Sequence, residues 1–380
     1  MKKLIIALIL AVGAIFFAYQ SGYLPPQLAS APKPQTPTPP FPYAVEEFEV
    51  RVGADGPIIA GTLTIPTGEG PFPAAVLLSV AGPNDRDQGF AGHVGFHVIA
   101  DRLTRNGYAV ARYDDRGVNG STGNYFQASW SDLAEDAISV TQYLAADGRI
   151  DDGEIGYVGM SQGGAIGALA ASRRPETSFL MLLSAPGLPG EEALKLQLEK
   201  TLTALNVDAK RADRFRALFE EYMVIAKSDP DDPATRDAMA DFMKGPGRAL
   251  IPPYAFLPDD TEGLVSVLLG PWYRSNVLFD PEVSYGGLDL PVLAVAGGKD
   301  FVAPAEQHLH EIERILCAAP TDEHFSATFE NLNHLLQEAD SGLPTEYATL
   351  ENTISEEFLS LMTAWLKNRQ AVSPSTKTTC

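Results

Sequence analysis

The sequence predicts an α/β fold: a doubly wound, mostly parallel sheet interrupted late in the chain by a helical cap. Three observations lead there. Apolar runs of strand length alternate with stretches of helical spacing between about residues 74 and 183, the alternation expected of parallel strands covered on both faces by crossover helices. That alternation stops after Ser184-Ala185-Pro186-Gly187 and resumes at Pro291-Val292-Leu293-Ala294-Val295-Ala296. Finally, the strand-like Ile155-Gly156-Tyr157-Val158 passes through Gly159-Met160-Ser161-Gln162-Gly163 straight into the small-residue helix 164–171.

Taken in order, Met1-Lys2-Lys3 supplies positive charge ahead of an uninterrupted apolar run, Leu4 to Ala18. Residues 1–24 therefore read as a signal peptide or, if the run extends to Leu24, as an uncleaved membrane anchor. Ala29-Ser30-Ala31 has the small-x-small form of a cleavage site. Both readings place the folded part outside the cytoplasm. Residues 25–42 hold eight prolines among small and polar residues, which predicts an extended, solvated linker.

The first part of the core is expected over residues 43–187. Residues 47–52 and 58–66 predict an opening antiparallel hairpin. Residues 74–80 predict a doubly covered strand, 97–106 a helix, 108–113 a strand and 131–144 a helix through Leu133, Ala137, Val140 and Leu144. The nucleophile strand, its helix and the strand 179–183 follow. The cap, 188–288, comes next, with helices from Glu191, over 209–227 and over 261–269, and proline breaks at Gly245-Pro246-Gly247 and Pro252-Pro253. The second part of the core, 289–370, closes with an amphipathic helix over 353–365, where Thr353 and Glu356 predict a capping box. Residues 371–380 form a polar tail.

Lys and Arg number 28 against 49 Asp and Glu, a net charge of −21. So acidic a surface repels phosphate backbones and anionic headgroups, which excludes nucleic-acid binding and leaves the N-terminal segment as the sole expected membrane contact. Two cysteines, Cys317 and Cys380, are too few for a disulfide framework or a Cys-rich zinc site.

The chemistry centres on Ser161. A strand turning sharply into a helix holds this serine in a strained conformation, and the flanking glycines let neighbouring backbone pass close. A serine hydroxyl needs a base, and the base an acid to orient it. His308 and His310, two apart on a predicted helix, cannot share a face and so make no metal pair. His93 and His97 read as packing residues, and His324 precedes a strand, 325–329. His334 follows that strand, where an α/β sheet gathers its ligand-contacting residues. Asp300 follows the strand 292–296 in Gly297-Gly298-Lys299-Asp300; it reads either as a helix cap or as the orienting acid, and its place between Ser161 and His334 favours the acid. The oxyanion donors expected are the backbone N–H of Gln162 and that of Ala81, with Gly82 next to it. Asp114-Asp115-Arg116-Gly117 reads as a structural, ion-paired turn. Trp272 and Tyr273, with Phe279, line a substrate pocket or form the cap's own core.

Residues 81–87, Arg112-Tyr113-Asp114-Asp115-Arg116-Gly117, the Ser161 turn, Leu332-Asn333-His334-Leu335-Leu336-Gln337 and the stretch from Glu346 to Ile354 together make the chain resemble an α/β-hydrolase of the exported esterase/serine-aminopeptidase-like group. The resemblance implies hydrolysis of carboxylic esters or, in related branches, peptides, without a cofactor, and a substrate that is a small ester or short peptide. Where many relatives carry His-Gly, this chain has Ser79-Val80; because valine resists the left-handed region, a differently arranged oxyanion loop is expected. Activity should fall in acid as the His334 imidazole takes up a proton.

Overall fold

The computed structural model describes residues 31–250, 258, 260–321 and 323–371. Eight strands make one sheet: β1 (Ala44–Arg51), β2 (Ile58–Ile65), β3 (Phe72–Leu78), β4 (Ala109–Tyr113), β5 (Ile150–Met160), β6 (Leu180–Leu183), β7 (Val292–Gly297) and β8 (His324–Phe329). They lie side by side as β1-β2-β4-β3-β5-β6-β7-β8. The β1–β2 and β2–β4 pairs are antiparallel, in register Ala44↔Ile65 and Gly61↔Tyr113. Every other neighbouring pair is parallel. The predicted hairpin and parallel sheet are thus present. β3 sits between β4 and β5, and Ala74 to Leu78 are buried because both faces are covered.

The sheet is flanked by α1 (Gly95–Arg105), α2 (Trp130–Ala145), α3 (Gln162–Arg173), the short α9 (Pro281–Tyr285), α10 (Ala305–Ala318) and α11 (Glu356–Ala371). Phe96, Ile99 and Leu103 of α1 join Phe358, Met362 and Leu366 of α11 in one apolar cluster with Leu77, Val110 and Val158 of the sheet. The apolar positions of α1 recur at helical spacing, so one stripe is buried and the other carries Asp101, Arg102 and Arg105.

Residues 188–280 form a separate helical unit together with 124–130. Its helices are α4 (Gly190–Ala204), α5 (Ala209–Lys227), α6 (Pro233–Lys244), α7 (Thr261–Leu268) and α8 (Pro271–Val277). Asp208, Asp232 and Asp260 cap α5, α6 and α7 by accepting backbone N–H groups of the first turn. Leu198, Phe219, Tyr222, Met239, Phe242 and Leu264 are buried within this unit.

Several expectations are corrected. The helical insertion ends at Asp280 rather than at 288, because α9 belongs with the sheet: the Tyr285 hydroxyl donates to the Pro186 carbonyl at 2.8 Å. Residues 124–130, not foreseen as part of the insertion, join it because the Tyr125 and Phe126 rings pack on Trp272, with centroids 5.7 and 5.4 Å apart. The closing helix starts at Glu356 without the capping box. The Thr353 hydroxyl is engaged with His93 Nδ1 at 2.8 Å, and Glu356 pairs with Arg102.

The part of the proline-rich linker from residue 31 is not a solvated spacer. Gln35 Oε1 accepts the N–H groups of Thr353 and Ile354 at 2.5 and 3.0 Å, and its Nε2 donates to the Ile354 carbonyl at 2.8 Å. Lys33 adds a backbone bond to Gly92 and a side-chain bond to the Ala348 carbonyl, both 3.1 Å. Cys317, on α10, is disulfide-bonded. The readings for residues 1–24, for Pro252-Pro253 and for the tail from 372 fall outside the described residues.

Candidate active site

Ser161 stands between the end of β5 and the start of α3 with φ 54° and ψ −122°. This strained, left-handed conformation for a residue with a Cβ is held by bonds on both sides: Ser161 N–H donates to Leu183 O at 2.7 Å, and its carbonyl accepts from Gly164 N at 2.9 Å. The two glycines are required by close approach. A Cβ on Gly159 would meet Gly163 O at 2.2 Å, and one on Gly163 would meet Leu78 O at 2.2 Å and Ser79 O at 2.6 Å.

His334 leaves the sheet after β8, and its imidazole is brought to the serine. His334 Nε2 is 3.0 Å from Ser161 Oγ, and His334 Nδ1 is 2.8 Å from Asp300 Oδ2. A carboxylate only accepts, so Nδ1 carries the proton and the Nε2 lone pair faces the serine hydroxyl. Asp300 lies against the histidine and does not cap the helix that follows. Its Oδ1 accepts the N–H groups of Val302 and Ala303, both at 2.8 Å, fixing the turn, while Oδ2 orients the histidine. The helix α10 itself begins later, after Pro304. The two loops can lie this close because Gly297 and Gly298 replace side chains at their contact; a Cβ on Gly297 would sit 2.1 Å from Leu332 O.

The side chains of Asp300 and His334 are fully buried, and a buried polar shell fixes the histidine loop. Asn333 Oδ1 accepts from Leu335 N and Gln337 N at 2.9 and 3.0 Å, and its Nδ2 donates to Gln337 Oε1 at 3.0 Å. The Gln337 Nε2 donates to the Asn352 carbonyl at 3.1 Å. His93 joins this shell through Thr353 and the Tyr347 carbonyl, the latter 3.1 Å from its Nε2. Burial above all, and then the Lys33 charge, lowers the His93 imidazole to about 4. Burial first, and next the Asp300 charge, pushes the Tyr347 phenol well above its ordinary value.

Gln162 is the first residue of α3, so its amide stands at the positive end of that helix. Ala81 lies in the loop after β3. The left-handed residue there is Gly82, at φ 103°, so Val80 needs no unfavourable conformation and Ser79-Val80 is accommodated. Asp114-Asp115-Arg116 is the structural turn the sequence predicts. Asp114 Oδ2 pairs with Arg86 Nη2 at 2.7 Å, and Arg116 with Asp136 at 2.7 Å. Asp115 Oδ2 accepts from Ser79 Oγ at 2.7 Å and from Asn84 N at 2.8 Å. Burial pushes the Asp115 carboxyl up to about 7.

Trp272 and Tyr273 are buried in the helical unit, where Trp272 packs on Tyr125 and Phe126, and Tyr273 on Tyr222. They form part of that unit's own core. Of the other histidines, His308 accepts the Gly187 N–H at 3.0 Å and His97 packs on Phe41, as packing residues do. The supporting residues Asn84, Gln88, Asn333 and Gln337 carried no roles in the sequence reading, although three of them stand in the stretches that carry the resemblance.

Strand order, strained serine and histidine–aspartate pair together give the chain the fold of the α/β hydrolases. The family model of the S33 serine aminopeptidases matches residues 88–244. The esterase EstD of Thermotoga maritima is 30% identical over 158 residues, 42% of this chain and 37% of that one. This chain therefore spans little more than a third of that relative. Among solved structures, the α/β hydrolase GrgF from Penicillium is similar with a TM-score of 0.52 and 17% identity, covering 87% of this chain and 100% of that one. The Pyrococcus furiosus esterase PF2001 gives 0.51 and 14%, covering 89% and 97%. These two likenesses are likenesses of fold.

Proposed function

We propose that this protein is an exported serine hydrolase that cleaves small carboxylic esters through an acyl-enzyme on Ser161. The observation that carries the reading is the 3.0 Å contact of His334 Nε2 with Ser161 Oγ, backed by Asp300 at 2.8 Å. Ser161 Oγ attacks the ester carbonyl carbon while His334 Nε2 takes the hydroxyl proton. Asp300 keeps the proton on Nδ1 and stabilises the imidazolium. The carbonyl oxygen becomes an oxyanion, held by the N–H groups of Gln162 and Ala81. As the tetrahedral species collapses, the alcohol leaves with the proton that His334 returns. Water then attacks the acyl-enzyme, again losing its proton to His334, and the carboxylic acid is released. No step needs a metal or organic cofactor. Export is supported by Met1-Lys2-Lys3 ahead of the apolar run to Ala18. That segment would be cleaved, or kept as the anchor that is the protein's one membrane contact.

The match to the serine aminopeptidase model favours a second reading, a peptidase of the same architecture. An aminopeptidase needs a carboxylate for the substrate α-amine. Of the acids suited by sequence, Glu191 pairs with Lys227 at 2.7 Å, Asp260 caps α7, Glu192 is exposed, and Asp259 lies outside the described residues. With Glu191 and Asp260 already engaged, the ester reading is the stronger.

The test is fluorophosphonate labelling of the full chain beside Ser161→Ala, followed by p-nitrophenyl esters against aminoacyl p-nitroanilides. Labelling lost in Ser161→Ala and turnover of esters alone are expected. Equal labelling of both proteins would remove Ser161 from the chemistry, and preferential cleavage of anilides would favour the peptidase.

A further inference from the structure

The loop after β3 contains a side chain whose contacts bear on the direction of a single backbone N–H. Asn84 is buried, and its side-chain amide donates two bonds back along the chain. Nδ2 is 2.9 Å from the Val80 carbonyl oxygen and 2.6 Å from the Gly82 carbonyl oxygen. The Val80–Ala81 peptide is trans, cis bonds among the described residues being confined to two X-Pro pairs. In a trans peptide the carbonyl and the following N–H point to opposite sides of one rigid plane. Drawing the Val80 oxygen toward Asn84 therefore turns the Ala81 N–H away from Asn84. The bond to Gly82 O holds the Gly82–Pro83 peptide beyond, so Ala81 sits between two anchored peptide planes.

Four further contacts make this a built device. The backbone of Asn84 is itself held, its N–H by Asp115 Oδ2 at 2.8 Å and its carbonyl by Asp115 N at 3.0 Å. The Val80 N–H is taken by Gln88 Oε1 at 3.2 Å, so Val80 is not the residue whose amide this loop offers. The same Gln88 carboxamide reaches Met160 Sδ at 3.2 Å through Nε2, tying the loop to the residue immediately before Ser161. The loop is thus referenced to the nucleophile.

We propose that Asn84 is the positioning residue of the oxyanion hole, aiming the Ala81 N–H by holding the Val80 carbonyl of the same peptide and the Gly82 carbonyl further along the loop. The inference rests on the serine-hydrolase reading above. It adds a residue that touches neither substrate nor triad, and whose loss should act on the transition state alone. Without the clamp the Ala81 peptide can rotate, and the oxyanion loses a preorganised donor, a change that commonly costs about 10²-fold to 10³-fold in turnover.

The test compares Asn84→Ala, Asn84→Ser and Asn84→Asp in the full chain, with near-UV circular dichroism reporting the fold. For each, kcat and KM on p-nitrophenyl butyrate are measured beside the inhibition constant of an aryl trifluoromethyl ketone, whose serine adduct carries the tetrahedral oxyanion. The expected result is a fall in kcat of about 10²-fold in Asn84→Ala with KM little changed. The ketone should weaken by the same factor, and Asn84→Ser should lose less because its hydroxyl can still donate. If Asn84→Ala does not fold, the comparison of Asn84→Ser with the unchanged protein decides the matter by the same two constants. Folded variants with unchanged kcat and ketone affinity, or with a raised KM alone, overturn the positioning role while leaving the hydrolase reading intact. Hydrolysis that survives in Ser161→Ala instead overturns the hydrolase reading itself.

Discussion

Replacing Gly163 by alanine should disable the site without unfolding the protein. The added methyl group would stand 2.2 Å from Leu78 O and 2.6 Å from Ser79 O, contacts that real Cβ atoms essentially never make. Neither oxygen can retreat freely. Leu77 and Leu78 pair with Val158 and Gly159 across the β3–β5 ladder, so moving them breaks rungs at the centre of the sheet. The first turn of α3 must therefore shift by close to an ångström. Ser161 immediately precedes that turn and Ala81 follows Ser79 by two residues, so the shift separates the hydroxyl from the proposed oxyanion donor. Misplacement of this size costs about 10²-fold in rate. Gly167→Ala is the internal control. Its methyl would meet the Leu180 and Leu78 Cδ1 methyl groups, both at 3.1 Å, which side-chain rotation relieves, and Tyr157 Cβ at an ordinary 3.4 Å, and alanine favours the helix by roughly 1 kcal/mol. Steady-state hydrolysis of p-nitrophenyl butyrate and the second-order rate of fluorophosphonate labelling would be measured for both. A Gly163→Ala protein that turns over ester like the unchanged chain would refute the claim that backbone contact between α3 and the loop after β3 sets the site.

Asp300→Asn should leave the fold in place and lower kcat on the order of 10⁴-fold with KM little affected, since an amide no longer enforces the Nδ1 tautomer; a fall confined to KM would count against the orienting role. Asp115→Asn should raise the melting temperature more at pH 8 than at pH 4. The folded-state value of about 7 lies above the ordinary value of 3.8, so the folded chain binds the extra proton and the stabilisation this group contributes at low pH is lost as pH rises through about 7. Equal shifts at the two pH values would remove Asp115 as the cause. Gln35→Ala leaves three backbone groups of Thr353 and Ile354 without their partner, which should cost about 1–3 kcal/mol; urea unfolding followed by tryptophan fluorescence checks it, and an unchanged midpoint would show that the arm is dispensable.

Much of the site could be read from sequence because its chemistry follows strand ends. Ser161, Asp300 and His334 each come directly after an apolar run, and the order of those runs limits the topology. Local pattern also located β3, β7 and α1 to within a few residues. What escaped was bonding between residues far apart in the chain. Thr353 and Glu356 satisfy the spacing of a capping box, yet the hydroxyl of one is taken by His93 and the carboxylate of the other by Arg102. The prolines around Gln35 predict solvated chain, and composition carries no sign that one glutamine meets a strand–helix connection more than 300 residues away. Tyr125 and Phe126 read as loop residues because their partner, Trp272, lies in another segment. Asn84 went unassigned for a different reason: its role is to direct a main-chain group, and main-chain groups have no letter in the sequence.

The contacts of Lys33 and Gln35 make the arm ahead of β1 part of the same body as the connection leading into α11. Gln337 bonds that connection at the Asn352 carbonyl and holds Asn333 beside His334. A cut between Gln35 and β1 would therefore free the three backbone groups that Gln35 engages on the far side of the histidine loop, and would loosen the support of His334 before it disturbed the sheet.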